Sequence, residues 1–115
     1  MSLPVLNNII DLIVPLVKPD KIILFGSYAR GDFTEHSDID LLILKKGLKN
    51  EREISTKIYN TLYTKNDHIN INVDVISLDY DKFLRLKDNI GYIFKTINEE
   101  GVVVYEWLPR MAKIR

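Results

Sequence analysis

The chain has 115 residues, 46% of them hydrophobic, and its 16 basic side chains balance its 16 acidic ones. The length predicts one folding domain over residues 1–115. The charge balance argues against a nucleic-acid partner, because proteins bind nucleic acids chiefly through an excess of basic side chains. The absence of cysteine excludes disulfides, thiolate metal sites and cysteine nucleophiles, and it fits a cytoplasmic protein. No apolar run has the length of a membrane span, and no basic stretch precedes an apolar one at the N-terminus, so neither membrane insertion nor a secretory signal is expected.

The first half of the chain predicts two helical and two extended segments. Apolar residues at helical spacing predict a helix from Pro4 to Val14, ended by Pro15 and Pro19. An apolar run predicts a buried strand over Lys21–Phe25, followed by a short helical turn over Ser27–Arg30. Asp38–Leu44 is apolar apart from its aspartates and predicts a second strand.

The second half continues the alternation of helices and strands. The predicted elements are a helix over Glu51–Tyr63, a strand over Ile69–Ile76, a helix capped by Asp79 and running to Leu86, a helix over Asn89–Asn98 and a strand over Val102–Tyr105. This order predicts the mixed α/β class, with three or four strands and helices on at least one side of the sheet.

The first candidate for chemistry is the segment that begins at Gly26 and Ser27. A strand that runs into a glycine and then into a helical turn directs free backbone N–H groups at one point, and this geometry suits a phosphate. Ser27 adds a hydroxyl donor, and Arg30 adds a permanent positive charge with a forked set of donors. The segment is neither a P-loop nor a dinucleotide fingerprint, and a plain turn remains the alternative.

The second candidate is the pair Asp38 and Asp40. Residues i and i+2 of a strand share a face, so both carboxylates point the same way at the start of an apolar strand. Two unpaired carboxylates repel each other and are costly to bury, which a cation between them relieves. Mg²⁺ is the natural candidate. The alternative is that Asp38 caps a loop and that Asp40 faces solvent.

The third candidate is Asp74, in the alternating segment Ile71–Ile76. If this strand lies beside the strand of Asp38 and Asp40, the three carboxylates form a cluster that can hold two metal ions in phosphoryl-type transfer. Asp74 could then also accept the proton of an attacking hydroxyl. The alternative is an edge-strand residue that faces water. Each candidate alone is weak, and it is their joint spacing that favours a site.

These residues resemble a known family. Gly26-Ser27, ten intervening residues and Asp38-Ile39-Asp40 are similar to the signature of the nucleotidyltransferases related to DNA polymerase β, and the block Phe25–Gly31 resembles their minimal nucleotidyltransferase branch. The resemblance implies a mixed sheet flanked by helices, ATP as donor, Mg²⁺ as cofactor and transfer of a nucleoside monophosphate to a hydroxyl.

The resemblance also implies a role for each site residue. Gly26 and Ser27 would hold the triphosphate, Asp38 and Asp40 the metal ions, and Asp74 both a metal ion and the proton of the acceptor. Members of this branch are often antitoxins that adenylylate a tyrosine of a HEPN-type ribonuclease toxin. An antitoxin that acts by binding alone, and nucleotidyl transfer to a small molecule or an RNA end, stay open as alternatives.

The remaining expectations concern the acceptor and the surface. A chain this short would leave the acceptor to a partner protein or to a groove between two copies, so a homodimer stays open. We expect His36 and His68 to be solvated, because neither has a metal-ligand partner at the usual spacing. Trp107 marks either a core cover or a protein interface. The one basic cluster of the sequence is the tail with Arg110, Lys113 and Arg115, which we expect to be solvated.

Overall fold

The computed structural model describes residues 4–65 and 71–109, which form one four-stranded sheet with helices on both faces. The elements in chain order are α1 Pro4–Val17, β1 Lys21–Phe25, α2 Ser27–Arg30, β2 Ile39–Lys45, α3 Glu51–Lys65, β3 Val73–Asp79, α4 Tyr80–Leu86, α5 Ile93–Glu100 and β4 Val102–Glu106. The strand order is β3-β2-β1-β4, with β1 antiparallel to both of its neighbours and β2 parallel to β3. The predicted mixed sheet flanked by helices is confirmed.

The two faces of the sheet carry separate apolar cores. One face of the sheet is covered by α1 and α3, through residues such as Ile9 and Ile58 packed around Leu41 of β2. On the opposite face, Phe83 of α4 and Ile97 of α5 pack on strand residues that include Leu42 and Leu44. Because both faces are covered, the central strands are almost continuously apolar, which is why their short sequences could be recognised as strands.

The prediction that Pro15 ends the first helix was wrong. Pro15 lies inside α1, which continues to Val17. Pro15 lacks the N–H that would donate to the carbonyl of Asp11, but the turn after it still forms, because the N–H of Lys18 donates to the carbonyl of Val14 at 2.9 Å. The helix ends at Val17, because the next residue, Lys18, has a left-handed φ of 50° and Pro19 then prevents continuation.

Two later elements also differ from their predicted bounds. The third strand begins at Val73 rather than at Ile69, which lies outside the described residues, and it extends to Asp79 because it pairs with β2 along that strand's whole length. The fifth helix begins at Ile93 rather than at Asn89. Gly91, with a φ of 103°, breaks the predicted start. Elsewhere the bounds shift by one or two residues: β2 begins after Asp38 and ends at Lys45, α3 ends at Lys65, α5 at Glu100 and β4 at Glu106.

The free edge of β3 is closed by two tyrosines of α3. The hydroxyl of Tyr59 accepts the N–H of Val75 at 2.7 Å, and the hydroxyl of Tyr63 accepts the N–H of Val73 at 3.3 Å. These bonds satisfy donors that an edge strand otherwise leaves to water or to another strand. The two tyrosines therefore tie α3 to the edge of the sheet.

None of the helices in the described part of the chain is long and apolar enough to cross a membrane.

Candidate active site

Three residues form a row across the sheet at the end where β1 stops. Phe25 is the last residue of β1 and pairs with Asp40 of β2, and Asp40 pairs in turn with Asp74 of β3. Neighbouring strands lie about 4.8 Å apart, so the two carboxylates start from adjacent backbone positions. The side chains of Asp40 and Asp74 project from the same face of the sheet as Leu42 and Ile76. This is the face covered by α4 and α5, opposite the face covered by α1 and α3. The register thus meets the condition on which the predicted cluster depended, that the strand of Asp74 lies beside the strand of Asp40.

Asp38 lies two residues before Asp40, immediately ahead of β2. The neighbouring residue Ile39 is fully buried on the opposite side, and its N–H donates to the carbonyl of Asn72 at 2.9 Å. This bond fixes the start of the parallel pairing and places Asp38 on the same side as Asp40. The charge of Asp38 acts on Asp40 strongly enough to raise its pKa.

Gly26 brings the backbone against the carboxylate of Asp40. Its φ of 74° lies in a region that side chains disfavour, and a Cβ at this position would overlap Oδ2 of Asp40. Both the positive φ and the close approach of the Asp40 carboxylate therefore favour glycine at this position. As a consequence, the carboxylate of Asp40 lies directly against the first turn of α2.

The helical turn α2 begins at Ser27, next to this carboxylate. The N–H groups of Ala29 and Arg30 donate to the carbonyl of Gly26, both at 3.1 Å, and Gly31 closes the turn with a φ of 87°. The N–H groups of the first turn, at Ser27 and Tyr28, have no acceptor within the helix. Such donors at the end of a strand are suited to an anion.

The carboxylates perturb one another electrostatically. The pKa of Asp40 is raised to about 6, first by burial, then by the charges of Asp74 and Asp38 and by a hydrogen bond to Asp74, while Arg30 opposes the rise. Asp40 and Asp74 are thus close enough to share a proton. An ionised Asp40 is disfavoured here unless a cation approaches.

These residues fit a magnesium ion in their chemistry and charge. Carboxylate oxygens are the ligands that Mg²⁺ prefers, and the crowding around Asp40 is what a cation relieves. Over residues 4–65 and 71–109, however, no three His, Cys, Asp or Glu side chains already stand as a complete ligand set. Mutual repulsion of Asp38, Asp40 and Asp74 opposes such an arrangement as long as no cation is present, and phosphate oxygens and water usually complete the shell of this ion.

Arg30 lies at the same end of the sheet but is engaged by acidic side chains. Its Nε is 3.3 Å from Oδ2 of Asp32, and its Nη1 is 3.8 Å from Oε2 of Glu100. The guanidinium remains 44% exposed, so a phosphate can reach it. The contact with Glu100 had no signal in the sequence, because the two residues lie far apart in the chain and meet only through the end of α5.

The remaining candidates lie away from this row. His36 is exposed and lies 3.4 Å from a carboxylate oxygen of Glu35, as expected for a solvated histidine. Trp107 is half exposed at the opposite end of the sheet. His68 and the basic residues of the tail lie outside the described residues.

Three proteins of Methanocaldococcus jannaschii named as protein adenylyltransferases are similar to parts of the chain. They are 58% identical over 36 residues, 83% over 24 and 45% over 58, which cover 31%, 21% and 45% of this chain. The matched segments span 36%, 24% and 40% of the length of those relatives.

Solved structures share the fold. A protein described as a nucleotidyltransferase of Sulfolobus solfataricus superposes with a TM-score of 0.52 at 26% identity, over 88% of this chain and 77% of that one. A mutant of the toxin–antitoxin pair MntA-HpeT gives a TM-score of 0.56 at 25% identity, over 97% and 80%. A toxin–antitoxin structure with AMP-PNP gives 0.56 at 23% identity, over 93% and 77%, which shows the fold alone.

The family model described as "Polymerase beta, Nucleotidyltransferase" matches residues 7–106, a stretch that contains the Gly26–Ser27 turn and all three aspartates. The resemblance found in the sequence is confirmed at this level. The chain belongs to the polymerase beta nucleotidyltransferase family.

Proposed function

We propose that this protein is a magnesium-dependent adenylyltransferase that moves AMP from ATP to a hydroxyl of a partner protein in the cytoplasm. The observation that carries the proposal is the row of carboxylates with Gly26 against Asp40, because it brings a phosphate-binding turn and metal-binding oxygens to one point. The names of the M. jannaschii relatives support a protein acceptor.

The donor side of the site consists of the turn after β1. The first-turn N–H groups of α2 and the hydroxyl of Ser27 bind the triphosphate, and Gly26 allows the phosphates to approach the backbone. Arg30 exchanges part of its pairing with Asp32 and Glu100 for the phosphate charge. Because both pairs are exposed, this exchange costs little.

The carboxylates supply the metal and proton chemistry. Asp38, Asp40 and Asp74 would hold Mg²⁺, as two ions in this proposal. The metal would neutralise the triphosphate and stabilise the charge of the transition state. The acceptor oxygen attacks the α-phosphorus of ATP, a new P–O bond forms, and the bond to the bridging oxygen breaks to release pyrophosphate. Asp74, the most exposed of the three, accepts the proton of the acceptor hydroxyl.

The acceptor in this proposal is a tyrosine of a HEPN-type ribonuclease toxin, and the chain is the antitoxin. The structural neighbour from the toxin–antitoxin pair MntA-HpeT, at 25% identity over 97% of this chain, is the support for the biological setting. A phenolic hydroxyl on a partner surface can reach Asp74 because that side chain is exposed.

The test is co-expression of the protein with the product of its neighbouring gene, followed by intact-mass analysis of that product. Wild type should add the mass of one or more adenylyl groups to a tyrosine, and Asp38→Asn with Asp40→Asn should add none. Neutralisation of the partner by the double variant without any mass increase would instead indicate an antitoxin that acts by binding. Transfer to a small molecule or an RNA end in the absence of a partner would overturn the proposed acceptor.

A further inference from the structure

A second concave site lies at the opposite end of the sheet from the carboxylates. A cavity of about 580 Å³ opens between the end of α1, the end of β2 and the residues that follow β4. We call it the basic cavity and define it by Lys18, Lys45, Lys46, Tyr105 and Trp107. It lies about 13 Å from the carboxylate row, the length of β1 at about 3.3 Å per residue. Its volume is in the range of small-molecule sites.

The charge of the basic cavity is positive although the whole chain is neutral. Lys18 and Lys46 are exposed, and the Nζ of Lys46 lies 5.9 Å from the centroid of the Tyr80 ring, a contact that it leaves when it turns to a ligand in the cavity. Lys45 donates from Nζ to the carbonyls of Val17 at 2.8 Å and Lys18 at 3.1 Å. Lys45 thereby offsets the partial negative charge at the end of α1, which would otherwise repel an anion. Among the described residues that line the cavity, Asp20 is the one acidic side chain, and its Oδ2 already accepts the N–H of Lys46 at 2.7 Å.

An aromatic wall stands beside these charges. Trp107 is 51% exposed, and its backbone N–H donates to the carbonyl of Asp20 at 2.9 Å, which fixes its place at the rim. Tyr105 extends the wall, and Pro15 and Pro19 also line the cavity. A half-exposed indole next to ammonium groups offers a flat ring both a stacking surface and a charge partner for an attached phosphate.

From this combination we infer that the basic cavity binds a nucleotide, with the base against Trp107 and the phosphate between Lys18 and Lys46. This site is distinct from the donor site of the proposed function. A free nucleotide and a nucleotide within single-stranded RNA share this chemistry, so the experiment includes both.

The chain contains one tryptophan and it lines the basic cavity, so fluorescence excited selectively at tryptophan reports on binding there. The experiment titrates the Asp38→Asn, Asp40→Asn double variant with AMP, without Mg²⁺, so that neither transfer nor metal-dependent binding at the carboxylates contributes. Parallel titrations use adenosine, inorganic phosphate and a short oligoadenylate. We expect saturable quenching by AMP, with weaker responses to adenosine and to phosphate. Tighter binding of the oligoadenylate than of AMP would identify RNA as the source of the nucleotide.

The matched variants separate the basic cavity from the rest of the surface. Lys18→Gln with Lys46→Gln should weaken AMP binding about tenfold, the sum of two exposed charge contacts. Lys49→Gln with Lys57→Gln removes two exposed lysines elsewhere and should leave binding unchanged. Raising the salt concentration should also weaken AMP binding by wild type, because salt screens the lysine charges. This measurement still tests the charge contacts if the Lys18→Gln, Lys46→Gln variant does not fold.

Several results would overturn the inference. These are no saturable change with AMP or oligoadenylate, equal binding of inorganic phosphate and AMP, or equal loss in the two lysine variants. Because the readout requires no transfer of AMP, it is independent of whether the proposed adenylyltransferase activity holds.

Discussion

Replacing Asp40 by Asn should abolish activity and yet stabilise the metal-free protein at neutral pH. Asp40 is ionised at pH 7.5 beside two other carboxylates, and its pKa is raised to about 6 from an ordinary value of 3.8 by burial and by these neighbours. An asparagine of the same shape carries no charge and removes the repulsion. The site is therefore predicted to cost stability in the absence of Mg²⁺.

The size of the effect follows from the two pKa values. At about 1.4 kcal/mol per pKa unit, the difference between 3.8 and 6 corresponds to an upper bound of about 3 kcal/mol. Asp40 is partly exposed, so solvent screening reduces the expected gain to about 1–2 kcal/mol. For a domain of this size the melting temperature should rise by about 4–8 °C.

The stability gained by Asp40→Asn should depend on pH. Because the pKa of Asp40 is raised in the folded state, the stability that it contributes is fully present below about pH 4 and is lost as the pH rises through about 6. The gain from Asp40→Asn should therefore be present at pH 7.5 and nearly vanish at pH 4.

The assay is thermal unfolding in EDTA at both pH values, followed by circular dichroism. Asp11→Asn, which changes an exposed aspartate of α1, is the matched control and should shift the melting temperature by less than about 2 °C. An Asp40→Asn variant that melts at or below wild type at pH 7.5, or that shows the same gain at both pH values, would refute the electrostatic reasoning.

Three further predictions concern Gly26, the hydroxyl of Tyr59 and the binding of Mg²⁺. Gly26→Ala should lower activity at least about 100-fold by displacing the Asp40 carboxylate, whereas Gly31→Ala, with open space around its Cβ, should cost stability but leave more activity in the same transfer assay. Tyr59→Phe should lower the free energy of unfolding in urea by about 1 kcal/mol, because the N–H of Val75 loses its acceptor; no change would contradict the role given to that hydroxyl. Millimolar Mg²⁺ should raise the melting temperature of wild type and not that of Asp40→Asn, and equal shifts would place the ion elsewhere.

Local signals explain what the sequence could predict. The strand before Gly26, the turn after it and the cap at Asp79 depend on neighbouring residues, and all three are found in the structure. Asp79 accepts the N–H of Lys82 at 3.1 Å, as a helix cap should. Pro15 misled the prediction, because a proline removes its own helical hydrogen bond without preventing the residues after it from continuing the helix.

What the sequence could not supply depends on register and on residues that are distant in the chain. The pairing of Asp40 with Asp74 requires the parallel register of β2 and β3, which no local pattern fixes. The basic cavity was missed for the same reason. Lys18 and Lys46 are separated in sequence and meet only where α1 and β2 both end.

The most direct test of the site follows the phosphorus atoms of ATP. The protein, Mg²⁺ and the neighbouring gene product are incubated with ATP labelled at either the α- or the γ-phosphate. Label from the α-position should appear on the acceptor, γ-label should leave as pyrophosphate, and Asp40→Asn should transfer neither. Transfer of the γ-label, or equal α-labelling by wild type and Asp40→Asn, would contradict nucleotidyl transfer at these carboxylates.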